Sequence, residues 1–219
     1  MKILLASADL DDITWAAANG FLDGVMTTHA LFREQERDER EQLTEICRLV
    51  DVPVYVTAHA VDGEDAYRDG KELSRLSDQI IVQIPLIEDA IGAVRRLAND
   101  GVRVASLLVF NAAQAILAAK AGACCVVTPI DHLDQVGHSG VETVRDLRAA
   151  FDASGTECDI IALRPTTAMQ FAECALAKAD AVAVGANFLR HLLVHPLTDR
   201  GIDQFLSELA RHHPAWTTA

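Results

Sequence analysis

Short, largely apolar runs alternate with longer amphipathic segments along almost the whole chain, and this alternation rules out most folds. The predicted strands lie at residues 2–6, 23–27, 53–58, 79–84, 102–108, 124–128, 158–163 and 180–184. The predicted helices lie at residues 9–19, 34–49, 63–76, 86–99, 111–121, 139–153, 167–178 and 186–193. Several strands, such as CCVVT at 124–128, show no polar alternation, which is typical of parallel strands covered on both faces. The pattern therefore predicts an α/β protein.

Two architectures can hold eight strand–helix units in sequence. An open doubly wound sheet that binds a dinucleotide needs a glycine-rich turn after its first strand, and ASADLDD at 6–12 contains no glycine. A closed barrel needs eight units, and 219 residues lie at the lower end of the size range of such barrels. We therefore expect a single domain over residues 1–219, a closed (β/α)8 TIM barrel with an extra C-terminal helix at about 199–211.

Composition and charge limit the possible partners and the compartment. A formal net charge of −13 argues against nucleic acid and against an anionic membrane surface, because both repel acidic proteins. No apolar run is long enough for a membrane span, and the N-terminal run is too short for a signal peptide. The five cysteines contain no CxxC pair, and most lie in apolar segments. We expect a reducing compartment, and hence a cytoplasmic protein.

Several passages, in order along the chain, resemble the short transaldolase and fructose-6-phosphate aldolase family. They are GFLDGVMTTHALF at 20–32, LVFNAAQAILAAKAGA at 108–123, LDQVGHSG at 133–140 and HPLTDRGIDQFLSEL at 195–209. The first is similar to the family's second-strand segment, and the last is similar to its C-terminal signature. The resemblance implies a TIM barrel and a sugar-like substrate. It also implies a ring-like homo-oligomer in which residues 195–211 reach across an interface.

The chain departs from this family at the position of its central nucleophile. The family has a lysine on the fourth strand that forms a Schiff base with a ketose carbonyl, and here Gln83 stands in that place, in the segment IIVQIP at 80–85. An amide nitrogen has no nucleophilic lone pair and cannot form an imine. The chain has four lysines, of which Lys2 begins the first strand and the others, Lys71, Lys120 and Lys178, lie in predicted helices. Schiff-base chemistry is therefore not expected.

Other positions that support the family's chemistry have changed as well. The strand-1 aspartate of the family aligns with Ala6, the asparagine after its second strand with Thr28, and the strand-5 threonine with Leu107. The polar residue of its third strand aligns with Thr57. Several coordinated changes indicate a site that has been rebuilt or abandoned, and not the loss of a single residue.

Polar residues follow the predicted strands at the ends where barrel enzymes place their active sites. Those expected to bind substrate are Thr27, Thr28, Thr57, Asn111, Arg164, Thr166 and Asn187, and those expected to take part in catalysis are Gln83, His29, His59, His132 and Asp131. The alternative is that several of them point outward and only solvate loops. The mixed charge run from Glu34 to Glu41 is most simply a solvated helix face.

The candidate site residues suggest acid/base chemistry and an anion site. The three histidines can serve as general acids or bases, because the ordinary pKa of imidazole lies near neutrality. Two of them could also hold a metal with Asp131 or Asp134, but no metal-binding spacing joins them, so we expect no metal and no cofactor. Arg164 precedes a helix that Thr166 or Thr167 can cap, which suits an anion, although an ordinary surface ion pair is equally compatible.

Two functions remain open at this point. The first is a transaldolase- or aldolase-like enzyme that binds a small sugar-like or carbonyl substrate, expected to be anionic, and acts on it by non-covalent acid/base chemistry. The second is a non-catalytic relative that binds a sugar phosphate or serves as a structural partner. The rebuilt polar positions favour the first function, and the changed supporting groups favour the second.

Overall fold

Eight parallel strands form a closed barrel in the computed structural model, which describes residues 1–60 and 62–212. The strands are β1 (Lys2–Ala6), β2 (Gly24–Met26), β3 (Val54–Thr57), β4 (Ile80–Pro85), β5 (Val104–Leu107), β6 (Cys125–Pro129), β7 (Asp159–Leu163) and β8 (Ala181–Val184). Each strand pairs with the next, and β8 pairs with β1 in the register Leu4–Ala183. The pairing of first and last strands excludes the open sheet and confirms the predicted barrel.

The helices follow the strands as predicted, with two additions. They are α1 (Leu10–Ala18), α2 (His29–Arg33), α3 (Glu39–Leu49), α4 (Gly63–Ser74), α5 (Glu88–Asn99), α6 (Ala112–Ala121), α7 (Ile130–Gln135), α8 (Gly140–Ser154), α9 (Ala168–Leu176), α10 (Ala186–Leu192) and α11 (Pro196–His212). The short helices α2 and α7 lie where the sequence predicted loops. The C-terminal helix α11 begins three residues earlier than expected.

The chain divides into two units, the barrel at Met1–Ala186 and a C-terminal unit at Asn187–Ala219, of which residues 187–212 are described. The prediction of a single domain over 1–219 remains a prediction. The C-terminal unit contains nearly all of α10 and the whole of α11. Along α11 the apolar side chains of Ile202, Phe205 and Leu206 are exposed in the isolated chain.

The interior of the barrel is filled by small and medium-sized side chains. Leu4, Met26, Tyr55, Ile81 and Ile161 pack there, all at most 8% exposed. Seven helices begin at side-chain caps, since an unpaired backbone N–H at a helix start needs an acceptor; they are α1, α2, α3, α4, α6, α8 and α9. The carboxylate of Asp9 accepts hydrogen bonds from two backbone N–H groups of α1, for example. Because all eight strands are parallel, the loops that follow them lie at one end of the barrel.

The five cysteines are free thiols. Cys125 packs inside the barrel. Burial raises the pKa of Cys158 to about 12 and that of Cys174 to about 11, so these thiols behave as packing groups and not as nucleophiles. Within the described part of the chain, none of the helices combines the length and the apolar character needed to cross a membrane.

Candidate functional site

A cavity of about 460 Å³ opens at the carboxyl ends of the strands. Its wall includes the last residues of five strands, Ala6, Met26, Leu107, Pro129 and Leu163. This is the end of a TIM barrel where active sites are found. The volume lies in the lower part of the range for small-molecule sites, about 300–1,000 Å³. Most of the wall is apolar, and the polar residues that line the cavity are Thr28, Glu34, Gln83, His132 and Arg164.

Gln83 lies on β4, lines the cavity and is only 1% exposed. Its Nε2 donates hydrogen bonds to the backbone oxygen of Thr27 at 3.0 Å and to Oγ1 of Thr57 at 3.3 Å. Because the Thr27 carbonyl can only accept, Nε2 is the atom that must face it, and the orientation of the amide follows. Among the described residues no hydrogen bond uses Oε1 of Gln83. The amide oxygen is thus available to a ligand donor.

Thr27 and Thr57 support Gln83 from the neighbouring strands. Thr27 is fully buried, and its hydroxyl donates to the backbone oxygen of Tyr55 at 2.9 Å. The Thr57 hydroxyl lies 3.4 Å from the backbone oxygen of Thr27. Thr28 lines the cavity, and its hydroxyl also accepts the backbone N–H of Leu31 as the cap of α2. Of these three threonines, only Thr28 is in the cavity wall.

Arg164 and His132 are neighbours in the cavity wall. Nη2 of Arg164 lies 2.8 Å from Nε2 of His132, and Nε of Arg164 lies 3.0 Å from Oδ2 of Asp131. Because a guanidinium can only donate, Nε2 of His132 accepts, which puts the proton of a neutral imidazole on Nδ1. Oδ1 of Asp131 is buried without a hydrogen-bond partner in the described structure. The ion pair that the sequence analysis gave as the alternative for Arg164 is formed with Asp131.

The backbone of Arg164 is held in an unusual conformation. Its φ is 59°, in the left-handed region that L-residues with a Cβ rarely adopt. Its backbone N–H donates to the Ala183 oxygen on β8, which anchors it at the end of β7. Strained backbone in a cavity wall is common at functional sites, where the surrounding structure maintains it.

Three other predicted site residues lie outside the cavity wall. Asn111 caps α6 by accepting the backbone N–H of Gln114 at 2.9 Å, and it lines a separate groove of about 660 Å³ that shares His132. The Thr166 hydroxyl donates to Oε1 of Gln170 at 2.9 Å, and the cap of α9 is Thr167. Asn187 begins the C-terminal unit, where its backbone oxygen accepts from Nδ1 of His191 at 2.7 Å.

His29 and His59 come together with each other instead of with His132. Their ring centroids are 4.2 Å apart, and Oε1 of Glu39 lies 3.2 Å from Nδ1 of His29 and 3.4 Å from Nε2 of His59. His29 begins α2 and His59 follows β3, so the loops after two adjacent strands place them side by side. Neither residue is part of the cavity wall. The three candidate histidines therefore lie at two separate sites. His132 is in the cavity wall, and His29 and His59 lie together beside Glu39.

The charge run from Glu34 to Glu41 contributes two functional candidates that the sequence analysis did not name. Glu34 lines the cavity at the end of α2, and Glu39 contacts both His29 and His59. The sequence analysis did not predict helix α2, which determines where these two residues lie. A five-residue helix after β2 turns this run back toward the barrel mouth, and Thr28 as its cap is the only local sign.

Amino groups lie away from the cavity. Lys2 pairs with Asp159 at the opposite end of the barrel, and Lys71 pairs with Asp100. None of the four lysines belongs to the wall of the 460 Å³ cavity. The N-terminal residue Met1 lies beside Lys2, at the same opposite end. In the described structure, Gln83 therefore occupies the barrel mouth without an amine beside it.

Comparison with known proteins finds similarity over nearly the whole chain. The model of the family described as Transaldolase/Fructose-6-phosphate aldolase matches residues 3–217. A protein named "Probable transaldolase" from Thermodesulfovibrio yellowstonii is 35% identical over 208 residues, which cover 95% of this chain and 97% of the relative. One of the same name from Hyphomonas neptunium is 36% identical over 208 residues, with 95% and 96% covered.

Proposed function

The chain belongs to the transaldolase/fructose-6-phosphate aldolase family, and on that premise we propose that it acts on a small, anionic carbonyl or polyol compound by non-covalent acid/base chemistry. The observation that carries the proposal is the amide of Gln83 in the wall of the barrel cavity, with no lysine in that wall. An amide can accept or donate a hydrogen bond, but it cannot attack a carbonyl. Substrate activation must then rely on hydrogen bonds and proton transfer.

Gln83 is assigned to substrate orientation. Its Nε2 is engaged by the Thr27 oxygen and the Thr57 hydroxyl, which holds the side chain in one orientation. Oε1 is left to accept a hydrogen bond from a ligand hydroxyl. A fixed acceptor in a largely apolar cavity interacts more strongly than the same group in water, because the surroundings screen it less.

Arg164 is assigned to the anionic group of the substrate. Its contacts to Asp131 and His132 use Nε and Nη2, and neither uses Nη1. A guanidinium is well suited to phosphate or carboxylate, because its planar donors match two oxygens at once. This arrangement favours an anionic ligand over a neutral one.

His132 is assigned to proton transfer. Its Nε2 accepts a hydrogen bond from Nη2 of Arg164. An anion that binds both Nη1 and Nη2 of Arg164 takes the place of this acceptor, so that the Nε2 lone pair becomes free to take a proton from the ligand. His132 lines the cavity, which gives it access to the ligand. Aldol cleavage or condensation, isomerisation and dehydration all fit such a base.

The apolar wall favours a second candidate function, a ligand-binding relative without catalysis. Ala6 and Leu107 stand where the family has an aspartate and a threonine, and both line the cavity. Neither can transfer a proton. A protein of this kind would bind a sugar phosphate through Arg164 and leave it unchanged.

Thermal unfolding with a ligand panel tests the proposal. The panel contains inorganic phosphate, dihydroxyacetone phosphate and fructose 6-phosphate. Dihydroxyacetone and fructose serve as the uncharged counterparts of the two sugar phosphates. An anionic ligand at 100 times its Kd should raise Tm by about 5–10 °C, since this adds about 2.7 kcal/mol to a chain of this size. Gln83→Leu should reduce that shift. Turnover of the stabilising ligand supports the enzyme, stabilisation without turnover supports the binder, and no shift across the panel contradicts both.

We also propose that α11 mediates self-association. Ile202, Phe205, Leu206 and Leu209 recur at helical spacing on α11, and each is at least 37% exposed in the isolated chain. Exposed apolar stripes of this kind mark interaction surfaces. Light scattering of the full chain should give the mass of an oligomer, and Phe205→Glu should lower it. A monomer of about the chain mass at micromolar concentration would contradict this proposal.

A further inference from the structure

His29, Glu39 and His59 meet where three elements come together outside the barrel cavity. Nδ1 of His29 lies 3.2 Å from Oε1 of Glu39, and Nε2 of His59 lies 3.4 Å from the same oxygen. One ligand atom of each residue lies within 4.8 Å of the other two. His29 is the first residue of α2, Glu39 is the first residue of α3, and His59 follows β3. Two imidazoles and one carboxylate thus converge from three different segments.

The second nitrogen of each ring is also engaged. Nε2 of His29 lies 3.4 Å from the backbone oxygen of Ala58, and Nδ1 of His59 lies 3.2 Å from Oδ2 of Asp69. Asp69 lies on α4 and also accepts the backbone N–H of His59. Metal-binding histidines almost always donate their outer N–H to a carboxylate or a backbone carbonyl. Both rings show this arrangement.

The contacts of the cluster suit a bound cation when both imidazoles are neutral. All four ring nitrogens of His29 and His59 face oxygen atoms, which are acceptors. A neutral imidazole has only one N–H, so each ring would set one nitrogen lone pair against an oxygen lone pair. A metal ion bound by the inner nitrogens and Glu39 removes both conflicts. The alternative is a second proton on each of two stacked rings.

We propose that His29, Glu39 and His59 bind a divalent transition metal ion such as Zn²⁺, with water as the fourth ligand. In a tetrahedral site with bonds of about 2.0–2.1 Å, neighbouring ligand atoms are about 3.3 Å apart. The two nitrogen-to-oxygen distances, 3.2 and 3.4 Å, match this value. A set of two histidines and one carboxylate suits Zn²⁺, Co²⁺ or Ni²⁺ and not Mg²⁺ or Ca²⁺. The proposal replaces the expectation that the chain holds no metal.

The site connects to the cavity through α2. The helix carries His29 at its start, and its next two residues, Ala30 and Leu31, line the cavity wall. A metal that joins the starts of α2 and α3 to the loop after β3 would fix this part of the wall. Neither Glu39 nor His59 lines the cavity, so the ion has a role in loop positioning and does not contact the ligand there.

Metal titration of the chelator-stripped full chain, purified without a polyhistidine tag, tests the proposal. We expect one Zn²⁺ per chain after dialysis, a rise in Tm on Zn²⁺ addition, and the strong visible absorption of four-coordinate Co²⁺. Glu39→Gln and His59→Asn should each weaken binding by more than about 100-fold, because loss of an outer partner alone costs about 10–100-fold. Asp69→Asn should weaken it by about 10–100-fold and keep the Co²⁺ spectrum.

Two control variants separate this site from other histidines. His138→Ala removes an exposed histidine from the loop before α8, and His212→Ala with His213→Ala removes the adjacent pair near the end of the sequence. Both should bind as the unmodified chain does. Absence of stoichiometric Zn²⁺ would overturn the proposal, and so would binding that survives Glu39→Gln and His59→Asn in folded protein. Circular dichroism of each metal-free variant establishes folding.

Discussion

Replacing Arg164 with alanine is expected to weaken the binding of an anionic ligand by about 10- to 100-fold, because a hydrogen bond to a charged group contributes about 1.5–3 kcal/mol. Arg164 lines the cavity, and its Nη1 is not used by His132 or Asp131. Affinity for an uncharged analogue should change much less. Isothermal titration with each member of the phosphorylated and unphosphorylated pairs measures the difference.

Arg164→Ala is also expected to lower the free energy of unfolding, and this loss must be measured separately from the loss of binding. Asp131 is 13% exposed, and it loses its guanidinium partner in Arg164→Ala. Adding Asp131→Asn should restore part of the lost stability but none of the anion affinity. Arg145→Ala is the matched control, since Arg145 pairs with Glu142 on α8 and is not in the cavity wall. Equal affinity for charged and uncharged ligands in the unmodified chain would contradict the assignment of Arg164.

Replacing Gly140 with alanine is expected to destabilise the fold by about 3 kcal/mol or more, at the upper end of the usual cost of overpacking. A Cβ at Gly140 would lie 2.6 Å from both Cα and the backbone oxygen of Ile130, which cannot move independently of the chain. Ile130 is fully buried and precedes Asp131 and His132 on α7. Urea unfolding measures the loss, and the displaced α7 should also weaken ligand binding.

A second glycine provides the control for this prediction. Gly92 lies inside α5, and a Cβ there would meet no atom within 4 Å. Gly92→Ala should stabilise the chain by about 0.5–1 kcal/mol, because glycine in a helix interior costs that much relative to alanine. If Gly140→Ala is as stable as the unmodified chain, the close contact between α7 and α8 is not present in solution.

The barrel could be predicted from the sequence because its strands have a simple pattern. Strands that are covered on both faces, such as β8, are built from apolar residues, and eight largely apolar runs leave few architectures. The short helices could not be predicted in the same way. α2 and α7 span five and six residues, too few for a helical period to appear in the sequence.

The candidate site was only partly predictable, because the short helices that follow the strands do not appear in the sequence pattern. Thr28 and Arg164 lie just after strands, and Gln83 lies near the end of β4. His132 lies on α7, which directly follows β6, and the order of the elements directs all four to the cavity. The positions of Glu34 and Glu39 depend on how the chain turns after β2, which a charge run does not encode. His29 and His59 also follow strands, but their rings are held at Glu39 and Asp69, away from His132. The directions of these two side chains are set by local contacts, which the order of the strands does not determine.

Borohydride reduction followed by intact mass spectrometry tests the central claim, that this member of the family works without an imine. The full chain is incubated with dihydroxyacetone or fructose 6-phosphate and reduced, beside an aldolase that forms a lysine imine as the positive control. We predict no ligand-dependent mass increase on this chain, since Gln83 lines the cavity and none of its four lysines does. A stoichiometric adduct on any lysine of the chain would contradict the account.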